Sequence, residues 1–198
     1  TFAVTDKVYD RAMPIDINDK SVPFEAIPTD AKGINFSYLD NLFKTAIEEN
    51  PITQETLKKI DGSVDERKIE YKNCIEIINK LRFNEESTLF AVERDRGLES
   101  IIGNIYQSFA GKEIYKSVEE KGANFLYLIV KNHVFADGNK RIAATLFIYF
   151  LNFYGILYKN GEQTIDNNTL AALTLLIAES NPKEKDVIID LVMNFLNN

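Results

Sequence analysis

From Ile34 onward, apolar residues recur at helical spacing along most of the chain. Between Ser37 and Asn50, the positions Leu39, Leu42, Phe43 and Ile47 share one face, with Ser37 as N-cap and Pro51 ending the run. Residues 64–83 repeat the pattern with Ile69, Ile75, Ile78 and Leu81 inward, and a third helix is expected from Val92 to Phe109, with Leu98, Ile101, Ile102, Ile105 and Tyr106 inward. "AGKEIYKS" then breaks the period, and its "EIY" reads as a short strand. Ser117 and Glu120 form an S-x-x-E capping box that opens the helix "VEEKGANFLYLIVKN". After the stretch 133–141 comes "IAATLFIYFLNFYGILY" (142–158), apolar nearly all round. Two more helices follow, "TIDNNTLAALTLLIAES" and "PKEKDVIIDLVMNFLN", the last with proline near its start. Strand signals are slight and no repeat stands out, so the pattern predicts an all-α fold.

The apolar run 142–158 approaches the length of a membrane span. Asn152 and Gly155 interrupt it, and a turn-forming "KNGEQ" follows, so it reads as a buried helix of a globular domain with no membrane role. Residues 1–36, which hold Pro14, Pro23 and Pro28, lack sustained periodicity and read as an irregular N-terminal arm. Residues 37–87 read as N-terminal helices and 88–198 as a core.

Composition narrows the field. An apolar fraction of 45% with 27% charged residues is that of an ordinary soluble domain, and the net charge of −7 argues against bulk nucleic-acid binding. Cys74 is the single cysteine, which rules out an internal disulfide and a cysteine-based zinc site. Its place beside Ile75 on a helix marks it as a buried thiol. "TFAVTDKVYD" has no apolar signal region, and a cytoplasmic setting is expected.

The densest chemistry lies in "HVFADGNKR" (133–141), which holds the only histidine. His133 is the side chain type that titrates nearest neutral pH, so it is the natural general base. Asp137 offers a hard oxygen suited to Mg²⁺. Gly138 and Asn139 stand where the next helix begins, and the first amides of a helix are unpaired donors that attract phosphate. Lys140 and Arg141 add positive charge in the same turn. Each residue alone is commonplace, and D-G-N is an ordinary turn-and-cap sequence. Together they suit phosphoryl or nucleotidyl transfer, where catalysis is positioning plus charge stabilisation.

"HVFADGNKRIAA" resembles the signature loop of the Fic/Doc (Fido) family, H-x-F-x-[D/E]-G-N-[G/K]-R, at every defining position through Arg141, and residues 97–151 are similar to its Doc-like branch. The likeness spans roughly residues 88–196. It implies a Fic/Doc-type helical bundle with a small β-hairpin flap over the active site. It also implies roles for single residues. His133 would deprotonate a target hydroxyl, Phe135 would anchor the loop, and Asp137 would ligate Mg²⁺ on nucleotide phosphates. Gly138, Asn139 and Lys140 would form an anion nest, and Arg141 would bind phosphate. Lys112, Glu113 and Ile114, within "GKEIY", match the flap that aligns a target segment as an added strand.

Two positions depart from the longer Fic pattern G-N-G-R-x-x-R. Ala144 stands where a second arginine contacts the outer phosphates, and Lys140 replaces the middle glycine, as in Doc-like members. "TAIEEN", with Thr45, Glu49 and Asn50, fits the family's inhibitory motif [S/T]-x-x-x-E-[G/N], although the arginine that its glutamate pairs with is missing here. Ser37, Ser100 and Ser117 lack any nucleophile-elbow context. The acidic stretch "EESTLFAVERD" reads as a solvated helix start, and "KEKD" after Pro182 as a charged first turn.

The resemblance implies a Mg²⁺-dependent enzyme that uses ATP and moves AMP to a Ser, Thr or Tyr hydroxyl of a target protein. The alternatives are a Doc-like kinase transferring phosphate, a toxin held by an antitoxin partner, and a degenerate Fido fold kept for binding. A bacterial, cytoplasmic setting and a capacity for homo-oligomers go with the family.

Overall fold

The computed structural model describes residues 62–82, 85 and 87–197. Among the described residues six helices carry the fold: α1 (Tyr71–Arg82), α2 (Gly97–Ile105), α3 (Val118–Asn132), α4 (Asn139–Phe153), α5 (Asn167–Glu179) and α6 (Lys185–Asn197). Two antiparallel hairpins punctuate them, β1 (Ser108–Phe109) with β2 (Lys112–Glu113), and β3 (Tyr158–Lys159) with β4 (Glu162–Gln163). A 3₁₀ turn, Pro182–Glu184, leads into α6. The expected class, an all-α bundle with a small β-hairpin, is the fold observed, with a second hairpin besides. The segment containing Thr45, Glu49 and Asn50 lies outside the described residues, as do residues 1–36.

The central helix is α3, which touches α2, α4, α5 and α6. Its sequence disguises this, because Glu119, Lys121 and Asn124 are as buried as Phe125, Leu126 and Ile129. Burying a charge is costly unless it is paired and hydrogen-bonded, and both charged groups have partners, while the buried Asn124 Oδ1 has none among the described residues. Glu119 accepts from the Ser63 amide at 2.7 Å and the Ser63 hydroxyl at 2.9 Å. Lys121 Nζ meets Glu113 at 2.7 Å. The Asn124 side-chain amide donates to the Glu120 carbonyl at 2.9 Å. The Ser117 side chain caps the helix by accepting from Glu120 N, while Glu120 reaches back to Lys116 N and not to the cap residue itself.

The apolar run 142–158 is a buried helix followed by a hairpin: α4 ends at Phe153, and Leu146, Phe147, Phe150 and Leu151 are fully covered. No helix among the described residues is long and apolar enough to cross a membrane. Residues 64–83 depart from expectation, since the helix begins only at Tyr71. Before it the chain is non-helical, and its backbone is held by tyrosine hydroxyls. Tyr106 Oη accepts from Ile69 N at 3.0 Å, Tyr154 Oη donates to the Arg67 carbonyl, and the two hydroxyls lie 2.8 Å apart. Burial pushes both phenols above their ordinary values. Cys74 is buried, as expected, and burial alone pushes its thiol up to about 12.

A repetition absent from the residue pattern appears in the backbone. Both hairpins turn through two left-handed residues, Ala110 (φ 50°) with Gly111 and Asn160 (φ 55°) with Gly161. Both close with the same amide-to-carbonyl bond, Ile114 to Gln107 and Thr164 to Leu157. Each is followed by a helix with a side-chain N-cap, Ser117 and Asp166. Asn suits the first left-handed position of such a turn, whereas Ala strains there. Ala110→Asn is therefore expected to stabilise the protein by about 0.5 kcal/mol in urea denaturation. Alkaline titration gives a second test. A thiol whose folded value exceeds its unfolded one contributes stability that is complete below about 9 and is lost as pH rises toward 12. Wild type should lose more stability than Cys74→Ala between pH 8 and pH 11, read by denaturant midpoints.

Candidate active site

The stretch 133–141 joins α3 to α4. His133 is the C-cap of α3, held left-handed at φ 47°, ψ 49°. Helices commonly end in this conformation, but with glycine or asparagine. A β-carbon there costs about 1 kcal/mol, and that strain falls on the residue expected to do the chemistry. The imidazole is exposed.

Beyond His133 the loop is held from two directions. From within, Asn139 spans it: Phe135 N donates to Asn139 Oδ1 at 2.9 Å, and Asn139 Nδ2 donates to the Phe135 carbonyl at 2.7 Å. Phe135 is fully buried, as an anchor must be. From outside, residues 90–94 lie alongside as an irregular segment that turns left-handed at Ala91 (φ 57°) and makes isolated bridges to the loop, Phe90 with Asp137 and Glu93 with Phe135. Ala91 N donates to the Asp137 carbonyl at 3.2 Å, Ala136 N to the Val92 carbonyl at 2.8 Å, and Arg94 N to the Val134 carbonyl at 2.8 Å. The helix expected from Val92 thus starts only at Gly97. Residues 90–94 spend their backbone groups on the loop, which prevents helical pairing there.

That segment also corrects the reading of "EESTLFAVERD" as a solvated helix start. Phe90 is completely buried, with its ring against Gly138. Glu93 accepts from Leu98 N at 2.8 Å and from the Tyr71 hydroxyl, so it caps α2 and ties α1 to the loop. This bond leads the effects that push the Tyr71 phenol up to about 12. Glu85 pairs with Arg141, whose guanidinium also lies 4.8 Å from the centre of the Phe90 ring. None of Glu85, Phe90 and Glu93 is found by reading the motif, since all three lie forty residues or more upstream. The available signal is Phe90 within a charged run.

The remaining expected residues divide into two groups. Asp137, Gly138, Lys140 and Arg141 gather at the start of α4. Gly138 is its N-cap, and the Asp137 carboxylate accepts from Gly138 N at 2.7 Å through Oδ1. Lys140 is exposed. Asn139 is there too, but its side chain is engaged with Phe135. Ala144 is buried in α4. Lys112, Glu113 and Ile114 do not join this group. Their hairpin is fastened by Glu113 to Lys121, near the N-terminal end of α3, whereas His133 ends that helix. At 1.5 Å per residue, Lys121 and His133 are about 18 Å apart along the axis. The hairpin expected beside the loop stands at the far end of α3, because α2 runs from the loop back to it. Among the described residues no group of three or more His, Cys, Asp or Glu side chains is placed to hold a metal. A single carboxylate beside a phosphate site is the donor set of Mg²⁺ that takes its other ligands from phosphate and water.

A protein-family model described as the Fic/DOC family matches residues 51–151. No curated protein and no solved structure matches the chain.

Gly138 has φ 82°, and a β-carbon there would fall 2.3 Å from Phe90 Cε2. Gly138→Ala is expected to cost about 2–4 kcal/mol, from left-handed strain plus overpacking. Adding Phe90→Leu should recover part of that loss in thermal or urea unfolding.

Proposed function

The chain belongs to the Fic/DOC family, and from that premise we propose that it is a Mg²⁺-dependent transferase of the Doc-like branch that moves AMP from ATP to a hydroxyl of a target protein. The observation that carries the proposal is the pair of hydrogen bonds between Asn139 and Phe135. They close the loop through a side chain, so the opening amides of α4 are not consumed in closing it. Those amides, with the positive end of the helix dipole, are suited to hold phosphate oxygens within the same turn as Asp137 and Arg141.

In this reading the acceptor oxygen attacks the α-phosphorus as His133 takes its proton. A new O–P bond forms, the bond to the outer phosphates breaks, and pyrophosphate leaves in line. Asp137 would hold Mg²⁺, which supplies charge neutralisation on the phosphates. Arg141 would bind phosphate after exchanging Glu85 for it. Lys140 and Ala144 favour a second reading, phosphate transfer by a Doc-like kinase, since the nest carries an added side chain and lacks the outer-phosphate arginine. A bacterial cytoplasmic setting and control by an antitoxin partner belong to the same proposal. A binding module without catalysis has less support, because His133, Asp137 and Asn139 are all intact.

Two ATP samples, labelled at the α- or the γ-phosphate, decide between these readings when incubated with the protein, Mg²⁺ and host lysate. The α-label is expected to enter protein, and His133→Ala should abolish it. Entry of the γ-label alone would make the protein a kinase, and labelling that ignores His133 would remove the enzyme reading. Glu85→Gln should tighten ATP binding about three- to tenfold by removing a carboxylate that competes for Arg141. An unchanged Kd in calorimetry would count against Arg141 as a phosphate ligand.

A further inference from the structure

A cleft of about 440 Å³ opens between the first two turns of α2 and the end of α3, within the range of about 300–1,000 Å³ that ligand sites occupy. Ile101, Leu128 and Val134 give it an apolar wall, while Arg94, Asp95 and Asn132 line it together with His133. None of Gly138 to Arg141 lines it, so it reaches His133 from the α2–α3 side, apart from the start of α4. In an in-line displacement the attacking oxygen and the leaving group lie on opposite sides of phosphorus, and the base stands beside the attacking oxygen. With phosphates at the start of α4, a polypeptide presenting its hydroxyl to His133 approaches from the side where this cleft lies. The β1–β2 hairpin, at the far end of α3, is not placed to receive it.

We propose that this cleft receives the acceptor polypeptide, and that Arg94 selects an acidic residue beside the modified hydroxyl. The inference rests on the transfer reading above and names the substrate class for the same site. Arg94 is fixed at its base and uncommitted at its tip. Its amide is bonded to the Val134 carbonyl at 2.8 Å, and Gly97 brings the start of α2 so close that a β-carbon there would lie 2.7 Å from Val134 Cγ1. Its guanidinium has no ion-pair or hydrogen-bond partner among the described residues, whereas Arg67, Arg96 and Arg141 are paired with Asp65, Glu99 and Glu85. The neighbouring Asp95 gives the rim both signs, so an acidic side chain is favoured at one position and not along a whole segment. Left-handed backbone at Asp95 (φ 49°), Arg96 (φ 52°) and His133 (φ 47°) concentrates strain around this cleft.

The test is nucleotide-free fluorescence anisotropy on the full chain, using labelled serine-containing peptide pools flanked by Asp/Glu or by Lys/Arg. The acidic pool is expected to bind about fivefold more tightly than the basic pool, and Arg94→Glu should reverse the order. Arg94→Gln, which removes the charge without inverting it, should level the two pools. Equal affinities in wild type, no binding of either pool, or a preference that survives Arg94→Glu would overturn the proposal. Since no nucleotide is present, this outcome is independent of the labelling experiment. If His133-dependent labelling fails while the charge preference holds and reverses, the transfer reading falls and the cleft stands as a peptide site.

Discussion

Everything in the loop depends on one amide side chain. Asn139 both accepts from and donates to the backbone of Phe135, closing a short ring of chain at the point where α4 begins. Had backbone groups closed this turn, the amides that open α4 would have been used in doing so. Because a side chain closes it, the helix end stays available, with Asp137 fixed beside it through the Gly138 amide. An apolar residue at 139 would leave the buried Phe135 backbone without its two partners, at a cost of about 1–3 kcal/mol for each unsatisfied group.

The loop's outer wall obeys a second constraint, close approach. Phe90 fills the space in front of Gly138, and no side chain fits between them. The same ring underlies the Arg141 guanidinium, so one aromatic residue sets both the backbone path at the N-cap and the height of the cation. Glu93, three residues on in the same segment, ties this arrangement to α1 and α2. The site is therefore a three-part assembly of α3, α4 and the irregular segment that precedes α2.

How much of this was legible follows from where the signals lie. The helices α5 and α6 came from apolar periodicity and α4 from its nearly unbroken apolar run, and the candidate site came from the density of unlike chemistry within nine residues. The position of Cys74 was readable because a thiol beside isoleucine on one helical face has little reason to be exposed. The wall at 90–94 was not readable, because alternation over five residues that include two charges looks like the start of a helix. Nor was the centrality of α3, since Glu119 and Lys121 carry a surface signature and are buried only because Ser63 and Glu113 reach them. The match of "GKEIY" to the flap points to a hairpin at 111–115, but Ser108–Phe109, its first strand, reads as the end of a helix. The distance of the hairpin from His133 depends on α2 running back along α3, which no local pattern encodes.

The non-helical stretch 62–70 has a consequence for dissecting the protein. A fragment cut just ahead of the segment that walls the loop would keep the whole signature and, of the described elements, both hairpins and five of the six helices. It would also strip the Glu119 carboxylate of its serine, leave the Tyr106 and Tyr154 hydroxyls without their backbone partners, and remove the carboxylate that faces Arg141. The smallest piece able to stand alone is thus set by buried hydroxyls and charges far from the motif in sequence, and a boundary drawn around the motif itself would yield a chain with correct chemistry and an unsatisfied interior.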